Sequence, residues 1–351
     1  MHTHAQFKKE FKGKRILITG GTGSIGSAIV KEVLLYEPRQ VRIYSRDEGK
    51  QHDLSLELGE RSNVSYLIGD IRDKDRLMMA MEKVDIVFHA AAMKHVPACE
   101  INPFEAVKTN IQGTQNLIDC AFAQGVDKVV AISTDKATDP TSVMGSTKLL
   151  AERMILATYF YKGYKKTKFC CVRFGNVLGT RGSVGHVFIH QIRNGGPVTI
   201  TDPHMTRFFM HIHDAVGLVL DASLFMKDRE IFILKMPGSL TMGDFASAVI
   251  TLYQKKNGAL KRRIPLKVVG RRPGEKTHEV LLTMDECENA LETKDMYIIL
   301  PNVQFGAPSA KLPSYPGAKK AKVREYSSNT YTKMTPTQII AMLSKAPELV
   351  W

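Results

Sequence analysis

The sequence predicts an α/β fold, in which a doubly wound parallel sheet is accompanied by a smaller C-terminal lobe. Strand-sized apolar runs alternate with amphipathic helical segments along the first half of the chain, a pattern typical of parallel sheets covered by helices on both faces. A glycine-rich turn joins the first strand to the first helix. After about residue 176 the alternation ends, and glycine, proline and loop segments become frequent. We therefore expect one domain over residues 1–176 and a lobe over residues 177–351, some of whose segments return to the sheet.

Six strands are expected, at residues 14–20, 40–45, 63–70, 84–91, 127–133 and 168–176. Helical patterns separate them, the first running from Ser24 to Leu35 and a later one carrying Lys148. Near the C-terminus, residues 335–346 form a short amphipathic pattern for which Thr335 is a suitable N-cap. This tail packs either on its own chain or on a neighbouring subunit, and its composition does not choose between the two.

The composition argues against several classes of protein. The longest apolar runs are only strand-sized, so no membrane span is expected. Five cysteines form no disulfide or zinc spacing, and no apolar signal segment follows the basic N-terminus, which together favour a cytoplasmic protein. The net charge of +14 comes from scattered Lys and Arg, with short clusters at 261–263 and 319–322, and no nucleic-acid-binding motif is present. The HIH triplet at 211–213 lacks a third ligand nearby, so we expect no metal site.

The turn TGGTGSIG, at residues 19–26, has the spacing of a dinucleotide-binding loop. Gly20 allows the tight turn, Gly23 lets the backbone approach a pyrophosphate, and Gly26 permits close packing of helix and strand. The N-terminus of the following helix offers free N–H groups to the phosphates. From this turn we expect cofactor contacts at Gly20, Thr22, Gly23, Ser24, Ile25 and Gly26.

The end of the second strand, YSRDEGK, favours NADP over NAD as the cofactor. Arg46, Lys50 and Ser45 suit a ribose 2′-phosphate, whereas Asp47 keeps NAD open because an acid there would bind the ribose hydroxyls. The small side chains of HAAAMKH, at residues 89–95, let a cofactor lie against the sheet, although helix packing alone would also account for them. The remaining expected cofactor contacts are Asp70, Ile71, Ala90, Ala91, Ala92, Lys94, Asn110 and Lys148.

One segment, STDKATDPTSVMGSTKLL at residues 133–150, raises the question of which group carries the acid–base chemistry. Met144 precedes Lys148 by one helical turn, at the place where nicotinamide enzymes usually have an ionisable hydroxyl. A thioether cannot do the work of that hydroxyl. Either proton transfer falls to the TDK triplet at 134–136, or the chain is a regulatory protein that binds NADP without catalysis.

Five blocks carry a family resemblance: AAAMKHVPACEINPFEAVKTNIQGTQN, STDKATDP, RFGNVLGTRGSV, TDPHMTRFFM and RRPGEKTHEVLL. With the glycine turn, they make the chain resemble the extended short-chain dehydrogenase/reductases, and within them the UDP-N-acetylglucosamine 4,6-dehydratases of surface-sugar biosynthesis. Met144 resembles a branch of these enzymes that includes soluble capsule enzymes, and Lys148 would position the nicotinamide ribose. The resemblance implies a Rossmann domain that binds NADP and a homo-oligomer, with a hexamer as one assembly.

The resemblance also implies a role for each member of the triplet. Lys136 would take the C5 proton of a 4-keto sugar, Asp135 would protonate the leaving C6 oxygen, and Thr134 would hydrogen-bond the C4 oxygen. Lys136 must then be neutral, and we expect burial and the positive charges of Lys148 and Lys94 to favour that form. Our hypothesis for the missing hydroxyl is that Asp135, directly or through a water, accepts the C4 hydroxyl proton.

The substrate implied by the resemblance is UDP-N-acetylglucosamine, whose diphosphate needs fixed cations. Arginine suits phosphate oxygens because its fork makes two-point contacts, and three arginines lie in loop segments. The resemblance adds contacts to uracil, ribose and diphosphate from residues near them. The expected substrate contacts are Lys94, Asn176, Arg181, Ser183, Val184, Arg207, Arg272 and Glu275.

The expected product is a 4-keto-6-deoxy sugar nucleotide for capsule, glycan or antigen synthesis. A UDP-sugar 4-epimerase is the rival interpretation, since it shares C4 oxidation but returns the hydride to C4. The TDK triplet argues against an epimerase, because that reaction needs no acid at C6. Inversion at C5 depends on geometry, and the resemblance to capsule-type enzymes favours it.

Overall fold

The computed structural model describes residues 3–258, 263–301, 313–349 and 351, so that only Arg263 of the basic cluster 261–263 is included. The strands are β1 Arg15–Thr19, β2 Gln40–Ser45, β3 Val64–Ile68, β4 Ile86–His89, β5 Lys128–Ile132, β6 Lys168–Arg173, β7 Asn176–Val177, β8 Val198–Ile200, β9 Thr206–Met210, β10 Glu230–Leu234, β11 Ser239–Thr241, β12 Leu266–Val268, β13 Val280–Leu282, β14 Ala290–Glu292, β15 Met296–Ile299, β16 Lys319–Lys320 and β17 Tyr326–Ser327. The helices are α1 His4–Phe11, α2 Ser24–Leu34, α3 Glu48–Leu58, α4 Lys74–Ala80, α5 Val96–Ile101, α6 Pro103–Ala106, α7 Gly113–Gln124, α8 Val143–Leu156, α9 Val184–Arg193, α10 Ile212–Phe225, α11 Met242–Lys256, α12 Met284–Cys287 and α13 Pro336–Ser344. A π-helical turn spans Val107–Gln112, and 3₁₀ turns span Asp135–Ala137 and Ala157–Phe160.

One large sheet forms the centre of the molecule, with the strand order β16-β14-β15-β10-β6-β5-β4-β1-β2-β3. The strands from β10 to β3 in this order run parallel, whereas β15, β14 and β16 join antiparallel at the far edge. The arrangement of β1 to β6 is the one found in dinucleotide-binding domains. The predicted α/β fold is therefore confirmed, and so are the six predicted strands.

The central strands are buried on both faces, which explains their nearly continuous apolar sequences. In β1, Leu17 and Ile18 are fully buried. Helix α1 adds a cover that the sequence analysis did not predict, since Phe7 and Phe11 pack their rings against Tyr36. The basic N-terminal segment thus belongs in part to the main core.

A second, smaller core lies among α9, α11, α13 and the strands β8 and β9. Within it Phe209 stacks on Phe245, with ring centroids 4.5 Å apart. Thr335 caps α13 through a capping box with Gln338, which confirms the predicted cap. Leu343 of α13 is fully buried in this core, so the tail packs on its own chain.

The chain after residue 177 contributes to both cores. Strands β10, β14, β15 and β16 join the large sheet, while the small sheets β11-β9-β7 and β12-β8 belong to the second lobe. Loops of the second lobe, around 176–184 and 272–279, line a cavity together with residues that follow the parallel strands. The two cores therefore meet at that cavity.

A buried ion cluster ties the large sheet to the helices beside it. Arg173, the last residue of β6, is 1% exposed and makes paired hydrogen bonds to Glu152 of α8 and Glu286 of α12. Burial lowers the pKa of the guanidinium, but the two carboxylates more than reverse this and leave the pKa raised. The cluster holds α8, which carries Lys148, against β6.

Candidate active site

A cavity of about 780 Å³ opens at the carboxyl ends of the parallel strands, where the two cores meet. Open parallel sheets bind their ligands at this edge, and the volume lies in the range of small-molecule sites. Ala90 and Lys148 line it from the side of the sheet, and Arg207 and Arg272 line it from the second lobe. A ligand in the cavity would contact both lobes.

The glycine turn forms a backbone cradle at one end of the site. Gly20 has a φ of +65°, and a Cβ there would lie 2.7 Å from the Ala91 nitrogen. A Cβ on Gly26 would lie 2.3 Å from the Gly20 carbonyl oxygen, so only glycine lets α2 approach β1 this closely. Gly23 is the N-cap of α2 and has no side chain to satisfy the first N–H groups of the helix. The turn therefore fits the pyrophosphate of a dinucleotide cofactor.

Arg181 lies over this turn, at the cofactor end of the site. Its backbone N–H donates to Ser24 Oγ at 3.0 Å, and its guanidinium donates to the Thr22 carbonyl. Its own carbonyl accepts from Lys94 Nζ at 3.1 Å. Arg181 was expected to contact the substrate, whereas folding places its side chain beside the predicted cofactor loop.

The end of β2 carries charges that are paired with one another. Asp47 caps α3, since its Oδ1 accepts from the Lys50 backbone N–H at 3.0 Å, and it also pairs with the Lys50 side chain. Arg46 lies 3.6 Å from Asp70, and Ser45, the last residue of β2, is buried. The Asp47 carboxylate is thus engaged with its own helix, while the Arg46 side chain remains 59% exposed.

Two predicted cofactor residues serve the packing around the site. The Ile71 side chain is buried against Gly113, where a Cβ would come within 2.7 Å of it. Asn110, in the π-helical turn, exchanges hydrogen bonds with the backbone of Met93 and donates to Thr147 of α8. The Asn110 amide is therefore taken up in joining the segment after β4 to α8, rather than free for a cofactor.

Met144 and Lys148 both line the cavity from α8, as their one-turn spacing predicts. Lys148 Nζ donates to the Ile132 carbonyl at 2.6 Å, and burial lowers its pKa. Met144 is 3% exposed and packs with Cys99 and Ala106. The thioether fills space at this position and holds no proton.

His89 is a buried neighbour of this site that the sequence analysis did not predict. Its Nδ1 lies 2.7 Å from Thr19 Oγ1, and burial, followed by the charge of Lys148, lowers its pKa to about 3. The ring is therefore neutral at physiological pH. Ala90 and Ala92, which follow His89, line the cavity. Their position at the end of β4 was the sequence feature that could have placed His89 near the site.

The triplet 134–136 follows β5 and lies beside α8. Asp135 is fully buried, and its Oδ1 accepts from the Thr134 hydroxyl and from Lys136 Nζ, both at 2.9 Å. Its second oxygen, Oδ2, makes no hydrogen bond within the described ranges. Thr134 and Lys136 line the cavity, whereas the fully buried Asp135 is not part of its lining. The structure thus brings together the three residues that the sequence assigned to chemistry.

The predicted neutral form of Lys136 is wrong for this structure. Its Nζ lies 2.9 Å from Asp135 and 3.5 Å from Glu279, whereas the predicted cation Lys148 is turned to a backbone carbonyl. Burial lowers the pKa of Lys136, but the two carboxylates outweigh burial and leave the pKa raised. The sequence does not reveal this, because Glu279 comes near the triplet only through folding.

Glu279, Lys276 and Arg207 form an ion cluster beside the triplet. Glu279 is 2% exposed, with Oε1 3.7 Å from Arg207 Nε and Oε2 3.8 Å from Lys276 Nζ. Arg207 donates to the carbonyls of Thr206 and Lys276, at 2.8 and 2.7 Å. Its predicted contact with phosphate would require these hydrogen bonds to be exchanged. The charged residues of KTHE, at 276–279, were the sequence feature from which this cluster could have been predicted.

The N-terminus of α9 borders the substrate side of the cavity. Ser183 is its N-cap, and the buried Oγ makes no hydrogen bond in the part of the chain that the structure describes. The Arg272 backbone N–H donates to Glu275 Oε2 at 3.2 Å, which shapes the exposed loop that carries both. The predicted substrate residues that line the cavity are Lys94, Asn176, Ser183, Val184, Arg207, Arg272 and Glu275.

Comparison with known proteins identifies the family. The sequence matches the family described as polysaccharide biosynthesis protein over residues 16–301. The chain belongs to this family.

Within the described residues, no helix has both the length and the apolar character that a membrane span requires.

Relatives in this family carry different activities in their names. The UDP-N-acetylglucosamine 4,6-dehydratase (inverting) of Campylobacter jejuni is 44% identical over 84% of this chain and 85% of that protein. The UDP-glucose 4-epimerase of Rickettsia canadensis is 40% identical over 82% of this chain and 83% of that protein. An uncharacterized membrane protein of Methanocaldococcus jannaschii is 52% identical over 83% of this chain and 87% of that protein.

Solved structures agree with the fold. Pen from Bacillus thuringiensis has a TM-score of 0.89 and 43% identity, with 97% of this chain and 99% of that chain covered. DesIV of Streptomyces venezuelae, a dTDP-glucose 4,6-dehydratase solved with NAD, shares the fold at a TM-score of 0.66 and 22% identity over 75% and 86% of the two chains. The predicted resemblance to short-chain dehydrogenase/reductase-type dehydratases is therefore confirmed. The protein is a Rossmann-like member of a family of sugar-nucleotide dehydratases and epimerases.

Proposed function

We propose that this protein is an NADP-dependent UDP-N-acetylglucosamine 4,6-dehydratase. The observation that carries the proposal is the adjacent Asp135–Lys136 pair, beside the same cavity that Lys148 lines. An elimination needs one group that protonates the leaving C6 oxygen and another that takes the C5 proton, and this pair supplies both. The 44% identity to a dehydratase of that specificity supports the same substrate.

The residues of the site divide the chemistry among themselves. A bound nicotinamide supplies a reversible hydride acceptor, which fits a reaction with no net redox change. Lys148 would orient its ribose. Asp135 would accept the C4 hydroxyl proton and later pass it to the departing C6 oxygen. Lys136 would remove the C5 proton. Thr134 was expected to hydrogen-bond the C4 oxygen, but its hydroxyl donates to Asp135, so it would instead keep that carboxylate in place.

The choice of NADP rests on the charges at the end of β2. Arg46 and Lys50 are exposed cations at the place where a ribose 2′-phosphate would lie. Asp47, the acid that would favour NAD, is occupied in capping α3 and in pairing with Lys50. These contacts support NADP because they leave no free carboxylate of Asp47 to bind the ribose hydroxyls.

The substrate end supports a nucleoside diphosphate. The N-terminus of α9, with the unpartnered Ser183 hydroxyl, offers donors to phosphate oxygens. Arg272 and Lys94 add positive charge at the cavity lining. Arg181 would contribute from the cofactor side, where it touches the glycine turn.

A UDP-hexose 4-epimerase is the second candidate, favoured by the 40% identity to the Rickettsia protein of that name. Both reactions begin with oxidation at C4. They differ in whether C5 is deprotonated and C6 loses its oxygen. The burial of Asp135 next to a lysine favours the dehydratase, because an epimerase has no use for an acid at C6.

Proton NMR of the purified protein with UDP-N-acetylglucosamine in deuterated water separates these candidates. We expect a new C6 methyl signal, deuterium at C5 and no requirement for an added reductant. The ring couplings then report whether C5 is inverted, which is the outcome that the resemblance favours. Formation of UDP-N-acetylgalactosamine without a methyl signal would identify an epimerase instead. A protein that binds NADP but leaves the sugar unchanged would contradict the proposed substrate.

A further inference from the structure

Glu279 carries a buried carboxylate at the cavity, and no sequence motif indicates a chemical role for it. Glu279 immediately precedes β13, is 2% exposed and lines the cavity. Its backbone N–H donates to Ser328 Oγ, and its carbonyl accepts from the Ser328 N–H, both at 2.9 Å. Two hydrogen bonds thus fix the backbone from which its side chain extends.

The charged groups that face Glu279 come from three different segments. They are Lys136 at 3.5 Å, Arg207 at 3.7 Å and Lys276 at 3.8 Å, with Asp135 on the other side of Lys136. Glu279 Oε2 makes no hydrogen bond among the described residues. A buried carboxylate oxygen that has an ion pair at 3.8 Å but no hydrogen bond is unusual and costs free energy, so it calls for an explanation.

The proposed elimination requires an acceptor for the proton of Lys136. Two carboxylates lie within 3.5 Å of Lys136 Nζ and favour its protonated form, and Lys136 must lose that proton before it can take the C5 proton. Asp135 cannot receive that proton, because it already holds the one from the C4 hydroxyl. The other acid in contact with Lys136, within the part of the chain described, is Glu279.

We propose that Glu279 stores the proton of Lys136 while Lys136 acts on C5, an inference that rests on the proposed dehydratase function. An N–H bond of Lys136 breaks and an O–H bond forms at Glu279, so a charged pair becomes a neutral pair. The 3.5 Å separation would shorten as substrate binds, since catalytic hydrogen bonds commonly tighten in the substrate complex. Neutral Lys136 then removes the C5 proton, and Asp135 gives its proton to the C6 oxygen, which leaves as water.

Glu279 also supplies the proton that returns the site to its starting state. After the hydride has returned to C6, Lys136 gives its proton to C5 and becomes neutral again. Glu279 then returns the stored proton to Lys136. Lys136 ends protonated, and Asp135 and Glu279 end ionised, which is the starting state. The C4 hydroxyl proton has left in the water molecule, and no proton has been gained from or lost to solvent by these residues.

The substitution Glu279→Gln tests this store, because it keeps the size of the side chain but cannot take up a proton. We expect kcat for methyl formation at neutral pH to fall about 100-fold, with KM for UDP-N-acetylglucosamine changed less than about threefold. Lys136 must then lose its proton to solvent, so kcat of the variant should climb with pH in the alkaline range, where the wild type is flat. The matched control is Glu288→Gln, at an exposed position outside the cavity, which should behave as wild type.

The possible results separate the inference from the proposed function. A wild type that forms no methyl product removes the dehydratase proposal, and the proton store with it. An active wild type with unchanged kcat in Glu279→Gln, or an equal loss at every pH, overturns the store alone, because a purely structural role has no pH signature. If Glu279→Gln does not fold, Glu279→Asp decides the matter: it keeps a carboxylate and should retain at least tenfold more activity than Glu279→Ala.

Discussion

Met144 stands where an ionisable hydroxyl would share proton transfer with Lys148, and its surroundings explain how the site does without one. Its thioether is packed with Cys99 and Ala106 and holds no proton. Asp135 Oδ2 is buried and makes no hydrogen bond among the described residues, and its neighbours Thr134 and Lys136 line the cavity, so we propose it as the proton acceptor. At the scale of single residues, we therefore propose that the acid–base work is carried by the triplet after β5 rather than by helix α8.

The substitution Asp135→Asn should slow C4 oxidation by about 100- to 10,000-fold, because an amide cannot accept the C4 hydroxyl proton. Reduction of bound NADP in a single turnover measures this step apart from the elimination. Asp53→Asn, at an exposed position in α3, is the matched control and should leave the rate unchanged.

The substitution Met144→Tyr tests whether a tyrosine at this position would accept the C4 hydroxyl proton instead of Asp135. We expect no large gain in rate, because the larger ring must displace Cys99 and Ala106 at a position that is 3% exposed. A large gain, together with normal C4 oxidation in Asp135→Asn, would show that a tyrosine is the natural proton acceptor and that our hypothesis for Asp135 is wrong.

At the scale of elements, the Arg173 cluster sets the position of α8 relative to β6. Replacing Arg173 by Met would leave Glu152 and Glu286 buried without their counter-charge, and we expect the free energy of unfolding to fall by about 3–5 kcal/mol. Urea denaturation measures this. The control Lys31→Met removes an exposed pair with Glu57 and should cost less than about 1 kcal/mol. Equal losses in both variants would contradict the role given to burial.

The effect of Arg173→Met should also depend on pH. Burial raises the pKa of Glu286, but Arg173 outweighs it and leaves the pKa below its ordinary value of 4.5. A carboxyl whose pKa is lowered by folding stabilises the protein above its unfolded pKa, and this contribution is lost as the pH falls through the folded pKa. The difference between wild type and variant should therefore shrink below about pH 4.5.

At the scale of the whole molecule, residues of both lobes line one cavity. If NADP occupies the glycine-turn end and UDP the α9 end, each should raise the melting temperature, and the two effects should add. A ligand at about 100 times its Kd contributes about 2.7 kcal/mol, which a thermal scan resolves easily. We expect NADP to stabilise more than NAD at equal concentration. Competition between UDP and NADP would contradict the two-ended cavity.

Much of this protein could be predicted because the relevant residues are neighbours in sequence. The strand–glycine–helix unit at 15–34 depends on local periodicity and on glycines at fixed spacing, so both the Rossmann-like sheet and the cofactor cradle were visible. The triplet 134–136 is contiguous, and Met144 and Lys148 are one helical turn apart, so their convergence on one cavity followed from helix geometry.

Charge states were decided only by the tertiary structure. The pKa of Lys136 depends on distances to carboxylates, and one of these, on Glu279, lies far away along the chain. Arg181 could not be assigned to the glycine turn, nor Arg207 to the carbonyl of Lys276, until the loops of the second lobe were folded against the sheet. Periodicity and motif spacing report local order, whereas electrostatic interactions fall off with distance in space, which sequence separation does not measure.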